Sequence, residues 1–120
     1  MRYVLMIYGD EEVQAGRTEE EYARLFAEHG AFSGELRERD KLVLGEPLDW
    51  SHRARSVRKH GDEIVVTDGP FAETKEALGG FYLIEADSID EALEWAARMP
   101  GLGEIAVEVR PVMSVPVPQT

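Results

Sequence analysis

His29 is the residue in this sequence best placed to do chemistry. It falls in register with Tyr22, Leu25, Phe32 and Leu36 at helical spacing, so it faces inward among apolar side chains. Imidazole titrates near neutral pH, and an inward-facing one at the rim of a sheet can act as general acid or base on a bound molecule. The same residue can equally be a core histidine whose ring nitrogens bond to backbone or a neighbour. His52 and His60 stand among charges in loop or turn positions and read as solvated. The three histidines do not show a metal spacing such as His-x-x-x-His, and no metal site is expected.

The most distinctive run is Asp68-Gly69-Pro70-Phe71-Ala72-Glu73-Thr74-Lys75-Glu76. Asp-Gly-Pro-Phe makes a turn: the Asp68 carboxylate can cap it, Pro70 fixes φ, and Gly69 before a proline takes extended or glycine-only conformations. A rigid connector explains Asp68, Gly69, Pro70 and Phe71. The polar residues that follow, Lys75 among them, are either solvated or part of a binding loop. Glu46 interrupts an apolar strand beside Gly45, either as a carboxylate in a cleft or as an edge-strand charge that blocks aggregation. Tyr8 and Trp50 can line a pocket or belong to the core. Gly79-Gly80 opens a strand rather than a helix, so it is no phosphate loop. No Ser-His-Asp order can be defended, and no motif demands a cofactor; none is expected.

These residues must be held by a small set of elements. The 120 residues make one domain, with 43% hydrophobic and 31% charged residues, as in a globular chain. Residues 2–8 read as a strand. Residues 18–39 read as a helix with Thr18 as N-cap, Glu21 closing a capping box, and an apolar stripe of Tyr22, Leu25, Phe26, Phe32 and Leu36. Gly30 and Gly34 weaken that helix by about 1 kcal/mol each relative to alanine, and mark either a close approach or a bend. Residues 41–48 form a second strand, 54–59 and 63–67 a hairpin around His60-Gly61-Asp62, and 79–86 another strand. A second helix spans 89–99, with Ser88 as cap, Glu91 closing its box and an inner face of Ile89, Ala92, Leu93, Ala96 and Met99. A last strand covers 104–110. Without the hairpin the order is β-α-β-β-α-β, the ferredoxin-like α+β arrangement, with both helices on one face of an antiparallel sheet. Residues 1–112 form the domain. Residues 113–120, with Pro116 and Pro118, form an extended tail.

In this arrangement the first and third strands are central, and helices cover only one face. Yet Tyr3, Leu5 and Ile7 alternate with Val4, Met6 and Tyr8, and Phe81 and Leu83 with Tyr82 and Ile84, so both faces are apolar. Leaving such side chains in water forfeits roughly 1.5–3 kcal/mol each, which calls for a cover. A second copy across a two-fold axis provides it; the alternative is that residues 50–78 fold back over that face. Net charge is −11, which argues against nucleic acid and anionic membranes as partners. The basic cluster Arg53, Arg55, Arg58 and Lys59 is flanked by acidic residues. The chain has no cysteine, which excludes disulfides and thiolate chemistry and fits a reducing compartment. Residues 1–10 are too short for a membrane span and lack a cleavage pattern, so a cytoplasmic location is expected.

The run Val66 to Glu76, followed by Leu78-Gly79-Gly80-Phe81-Tyr82-Leu83-Ile84 and Asp90-Glu91-Ala92-Leu93-Glu94-Trp95-Ala96, resembles the DGPF group of YCII-related proteins. Tyr3 to Tyr8, His29-Gly30-Ala31-Phe32 and Val107-Glu108-Val109-Arg110-Pro111 are similar to that group as well. The resemblance implies a ferredoxin-like fold of the dimeric α/β-barrel type. It also implies a His-Asp pair, carried here by His29 and Asp68, although the better studied branch has its histidine near the start of the first helix. One branch is associated with dehalogenation of an aromatic ring, and members of the DGPF group are often encoded near extracytoplasmic-function sigma factors. Two functions follow as expectations. In the first, a small organic molecule enters a cleft between the inserted loop and the helix-sheet layer. Glu46, Gly69, Pro70, Phe71 and Lys75 help bind it. Asp68 orients His29 and favours its protonated form, and His29 moves a proton in an isomerase- or lyase-like step. In the second, the dimer is a non-catalytic regulatory or accessory module linked to a sigma factor.

Overall fold

The computed structural model describes residues 1–115; the tail prolines Pro116 and Pro118 lie outside the described residues. Strand β1 (Arg2–Asp10) leads at once into a five-residue helix, α1 (Glu11–Ala15), capped by Asp10, whose carboxylate accepts from the Glu12 amide at 2.9 Å. This helix carries no apolar stripe and buries no residue, so hydrophobic periodicity does not reveal it. Helix α2 (Glu19–Glu38) starts with the expected box: the Glu21 amide donates to Thr18 Oγ1 at 3.1 Å and the Thr18 amide to Glu21 Oε1 at 3.2 Å. Those bonds to Thr18 hold the Glu21 carboxyl below its usual range. Then come β2 (Leu42–Pro47), a 3₁₀ turn (Ser51–Arg53), β3 (Arg55–His60), β4 (Glu63–Asp68), β5 (Glu76–Glu85), α3 (Ile89–Ala96) and β6 (Ile105–Pro111). At α3, Ser88 caps the Glu91 amide as expected, but the Glu91 carboxylate bonds the amide of Asp87 rather than that of the cap.

The main sheet has the order β2-β5-β1-β6 with every neighbouring pair antiparallel, and β3-β4 stand apart as a two-stranded sheet. This is the ferredoxin-like α+β fold, with β1 and β5 central. Tyr3 and Leu5 of β1 and Tyr82 and Ile84 of β5 are buried, in a core shared with Phe32 and Leu36 of α2 and Ala92, Trp95 and Ala96 of α3. Phe32 meets the rings of Tyr82 and Trp95 edge-on, at 5.2 and 5.9 Å between centroids.

Three packing expectations need correction. Trp95 is buried, whereas Ile89 and Leu93 are 39% and 49% exposed. The stripe of α3 is therefore 92, 95, 96 and 99, because the indole fills the space beside Phe32. Phe26 is 66% exposed, since its position on α2 looks past the sheet edge rather than onto it. Gly30 and Gly34 meet no neighbour: a Cβ at either position would find nothing within 4 Å.

The face of the sheet away from the helices carries Val4, Met6, Phe81 and Leu83, with Val4 opposite Leu83 and Met6 opposite Phe81. Among the described residues no element covers them, and all four remain half-buried. Nor do residues 50–78 fold over that face. The β3–β4 ribbon instead extends from the body, with Val57, Ile64 and Val66 more than half exposed, and no residue from Val43 to Phe81 joins the core. The radius of gyration is 16.7 Å. A compact chain of this length would have about 13–14 Å.

Candidate functional site

A cavity of about 840 Å³ lies between α2, β2 and the loop that follows β2. That size falls in the range of ~300–1,000 Å³ typical of small-molecule sites. Its α2 wall carries Tyr22, Phe26, His29, Ser33 and Arg37, and its far wall Leu44, Glu46, Leu48 and Trp50. The spacing on α2 is helical, one flank round from the buried Phe32 and Leu36. So the helix uses one side for the core and the adjoining side for the cavity. Phe26, Leu48 and Trp50 are exposed apolar residues that all line it.

His29 is half-buried, and its Nδ1 lies 2.8 Å from the Tyr82 hydroxyl, with the two rings stacked at 18° and 6.0 Å between centroids. Burial pushes the His29 pKa below its ordinary 6.5, against a smaller opposing effect of the Glu28 charge. Burial also raises the Tyr82 phenol. Both groups are therefore neutral near pH 7. A buried hydroxyl needs an acceptor, and the Tyr82 O–H finds one in Nδ1. In that arrangement the imidazole proton sits on Nε2, which has no protein partner among the described residues. In the other tautomer Nδ1–H donates to the tyrosine oxygen and Nε2 is a free base.

Gly45 makes this contact possible. It lies opposite Tyr82 in the β2–β5 register, and a Cβ on it would sit 2.7 Å from Tyr82 Cδ1. A strand residue with a side chain would displace the ring that carries the hydroxyl.

The loop after β2 is clasped from across the cavity. The Ser51 amide donates to Glu11 Oε2 at 2.7 Å, and the Ser51 hydroxyl donates to the other carboxylate oxygen. Asp49 accepts from the Trp50 amide at 2.7 Å and pairs with Arg53 at 3.2 Å. At the same end Arg17 pairs with Glu104 at 2.7 Å and donates to Gln14 Oε1 at 3.2 Å, while the Tyr22 hydroxyl donates to the Gln14 carbonyl.

Of the site residues expected from sequence, His29 and Glu46 line the cavity, and so does Trp50; Tyr8 does not. Asp68, Gly69, Pro70, Phe71 and Lys75 are not among its lining residues. The Asp68 carboxylate lies 3.3 Å from Arg55 Nε across the ribbon, so within one chain His29 has Tyr82 as its partner and Asp68 has Arg55. The imidazole is accordingly shifted toward its neutral form, not toward the protonated form that a facing carboxylate would favour. The turn folds back on its own strands: the Gly69 amide donates to the Ala54 carbonyl at 2.7 Å, and the Arg58 guanidinium lies 4.1 Å from the Phe71 ring centre. Gly69 has φ +91°, the glycine-only one of the two geometries expected before Pro70.

Tyr82 is the residue that sequence reasoning missed, although a signal was there. An inward-facing histidine on α2 must meet a side chain from the helix-facing positions of the central strands. Among Tyr3, Leu5, Ile7, Tyr82 and Ile84, only the tyrosines can bond it. Ser33 and Arg37, four and eight residues along the same flank, follow from the same register.

Among the described residues no group of three or more histidines and carboxylates is placed to hold a metal, and no helix is long and apolar enough to cross a membrane. Compared with known proteins, the chain is 39% identical over 116 residues to an uncharacterised protein of Rhizobium meliloti (strain 1021), an alignment covering 93% of this chain and 92% of that one. The family model of the YCII-related domain matches residues 1–116. Fold, extent of match and relative agree: the chain belongs to the YCII-related domain family.

Proposed function

We propose that this chain binds a small organic molecule in the cavity between α2 and β2, with the His29–Tyr82 pair as the polar element that handles its proton. The observation that carries this reading is the pair itself: two neutral, mutually bonded groups at the wall of an otherwise largely apolar cavity. Taken to chemistry, Nε2 of His29 accepts a proton from a carbon or hydroxyl of the ligand. Nδ1–H then stays on the Tyr82 oxygen, which holds the imidazolium in place. Return of the proton to a second position gives isomerisation, and loss of a leaving group gives a lyase-like outcome. A regulatory module would use the same cavity for binding without turnover.

A homodimer completes the reading. A second copy packed on Val4, Met6, Phe81 and Leu83 removes the open apolar face, and the extended ribbons then have a partner surface to lie on. The DGPF character of residues 68–71 would serve that ribbon, with the Asp68–Arg55 pair bracing its end.

A thermal-shift screen of small organic compounds tests the site. Compounds that stabilise the wild type should fail to stabilise Phe26→Asp, which puts a charge on the α2 wall of the cavity. Hits that stabilise both proteins equally would place binding elsewhere and end this reading. For any hit that turns over, His29→Asn should bind but not react.

A further inference from the structure

The charged groups around the cavity are not equivalent. Glu11 is engaged by Ser51, Asp49 by the Trp50 amide and Arg53, and Arg17 by Glu104 and Gln14. Two lining charges, Arg37 and Glu46, have side chains with neither a hydrogen-bond nor an ion-pair partner among the described residues. Their positions are opposed. The chain doubles back through residues 39–41, where the Lys41 amide donates to the Leu36 carbonyl at 2.9 Å, so Arg37 lies beside the start of β2. Glu46 comes later in β2, next to Gly45, which is opposite Tyr82. The cavity thus has a cation with no partner among the described residues at one end, while Glu46, opposite Phe81 in the register, belongs to the sheet face turned away from His29 and Tyr82. Helical side chains lean toward the N-terminus, so the Arg37 guanidinium comes back over the turn that carries Ser33. Ser33 and His29 are one turn apart on this flank, about 6 Å along the axis. The Ser33 hydroxyl rests on the Gly30 carbonyl at 3.2 Å and can rotate toward a ligand.

We propose that the ligand is an amphiphilic organic acid, with one carboxylate on Arg37 and an apolar body that runs along Leu42 toward His29. The proposal rests on the ligand-site reading above and gives that site a substrate class. A guanidinium binds a planar carboxylate through two parallel hydrogen bonds, which fixes orientation as well as position. Arg37 holds the acid group at its own end of the cavity, so the uncharged end of the molecule points toward His29 and Tyr82.

Three probes of the same shape test this: 2-naphthoate, 2-naphthalenemethanol and 2-naphthylmethylammonium, titrated calorimetrically into the full chain at pH 7.5. The acid should bind about tenfold more tightly than the alcohol, the scale of one charge-assisted contact. Arg37→Gln should bring the acid down to the level of the alcohol and leave the alcohol unchanged, while Arg37→Lys keeps part of the difference. Circular dichroism checks that both variants fold. Equal affinity for acid and alcohol, tightest binding of the ammonium, or an acid preference that survives Arg37→Gln would overturn the substrate class. In those cases alcohol binding that Phe26→Asp abolishes would still uphold the cavity. Failure of all three probes to bind would overturn the ligand-site reading as well.

Discussion

At the scale of single residues, the question is what sets the proton on His29. Burial disfavours the charged imidazole and holds the His29 pKa down, against a smaller effect of the Glu28 charge. Tyr82→Phe removes the oxygen that accepts Nδ1–H from the imidazolium, so the His29 titration followed by NMR should move further down; an upward shift would mean that Tyr82 donates to Nδ1 and that Nε2 carries the proton at rest. Asp68→Asn should leave that titration where it is, because the Asp68 carboxylate is on Arg55. A downward shift in Asp68→Asn would restore the His-Asp pair, with the aspartate then supplied by a second copy. The depressed value also has a stability consequence. The unfolded chain binds the proton more readily, so the stability His29 contributes is complete above about pH 6.5 and is lost as pH falls through the folded value. The inward position of His29 was legible in the sequence, since helical register alone gives it. Its partner was not, because the pairing depends on which strand face meets α2 and on how far along it.

At the scale of elements, most of the fold could be read from local signals. The Thr18 and Ser88 caps, the apolar strands and the hairpin turn at Gly61 each rest on interactions within a few residues, and each stands as expected. What failed was rotation and contact. The inner face of α3 was placed on Leu93 rather than Trp95, and Gly30 was taken as a candidate for close approach when the tight glycine is Gly45. Those facts are properties of a helix against a sheet, and periodicity does not encode the neighbour's shape. The tight contact makes a testable element. Gly45→Ala places a methyl group against the Tyr82 ring and should destabilise the protein by about 1–3 kcal/mol, as overpacking does. Urea unfolding measures that cost. The same variant should also disturb the His29 titration, because the ring that moves is the one bonded to it. An unchanged unfolding midpoint would mean that β2, an edge strand, simply shifts away.

At the scale of the whole molecule, the two-sided apolar strands predict association. Sedimentation velocity of the wild type should give a dimer, and Met6→Glu, which puts a charge in the middle of the open face, should give a monomer. A wild-type monomer at all concentrations would leave that face as exposed as it stands in one chain. The strand order has a further consequence for synthesis. β1 is flanked by β5 and β6, and β2 has β5 as its neighbour, so none of these pairings can close until residues 76–85 have left the ribosome. From the end of β1 to the start of β5 the ribosome adds 66 residues, which takes roughly 3–13 s at ordinary elongation rates. Throughout that interval the growing chain carries β1 with no strand beside it, while the β3–β4 ribbon, built from adjacent residues, can already close. The nascent protein therefore meets the cell's chaperones with its innermost strand still bare.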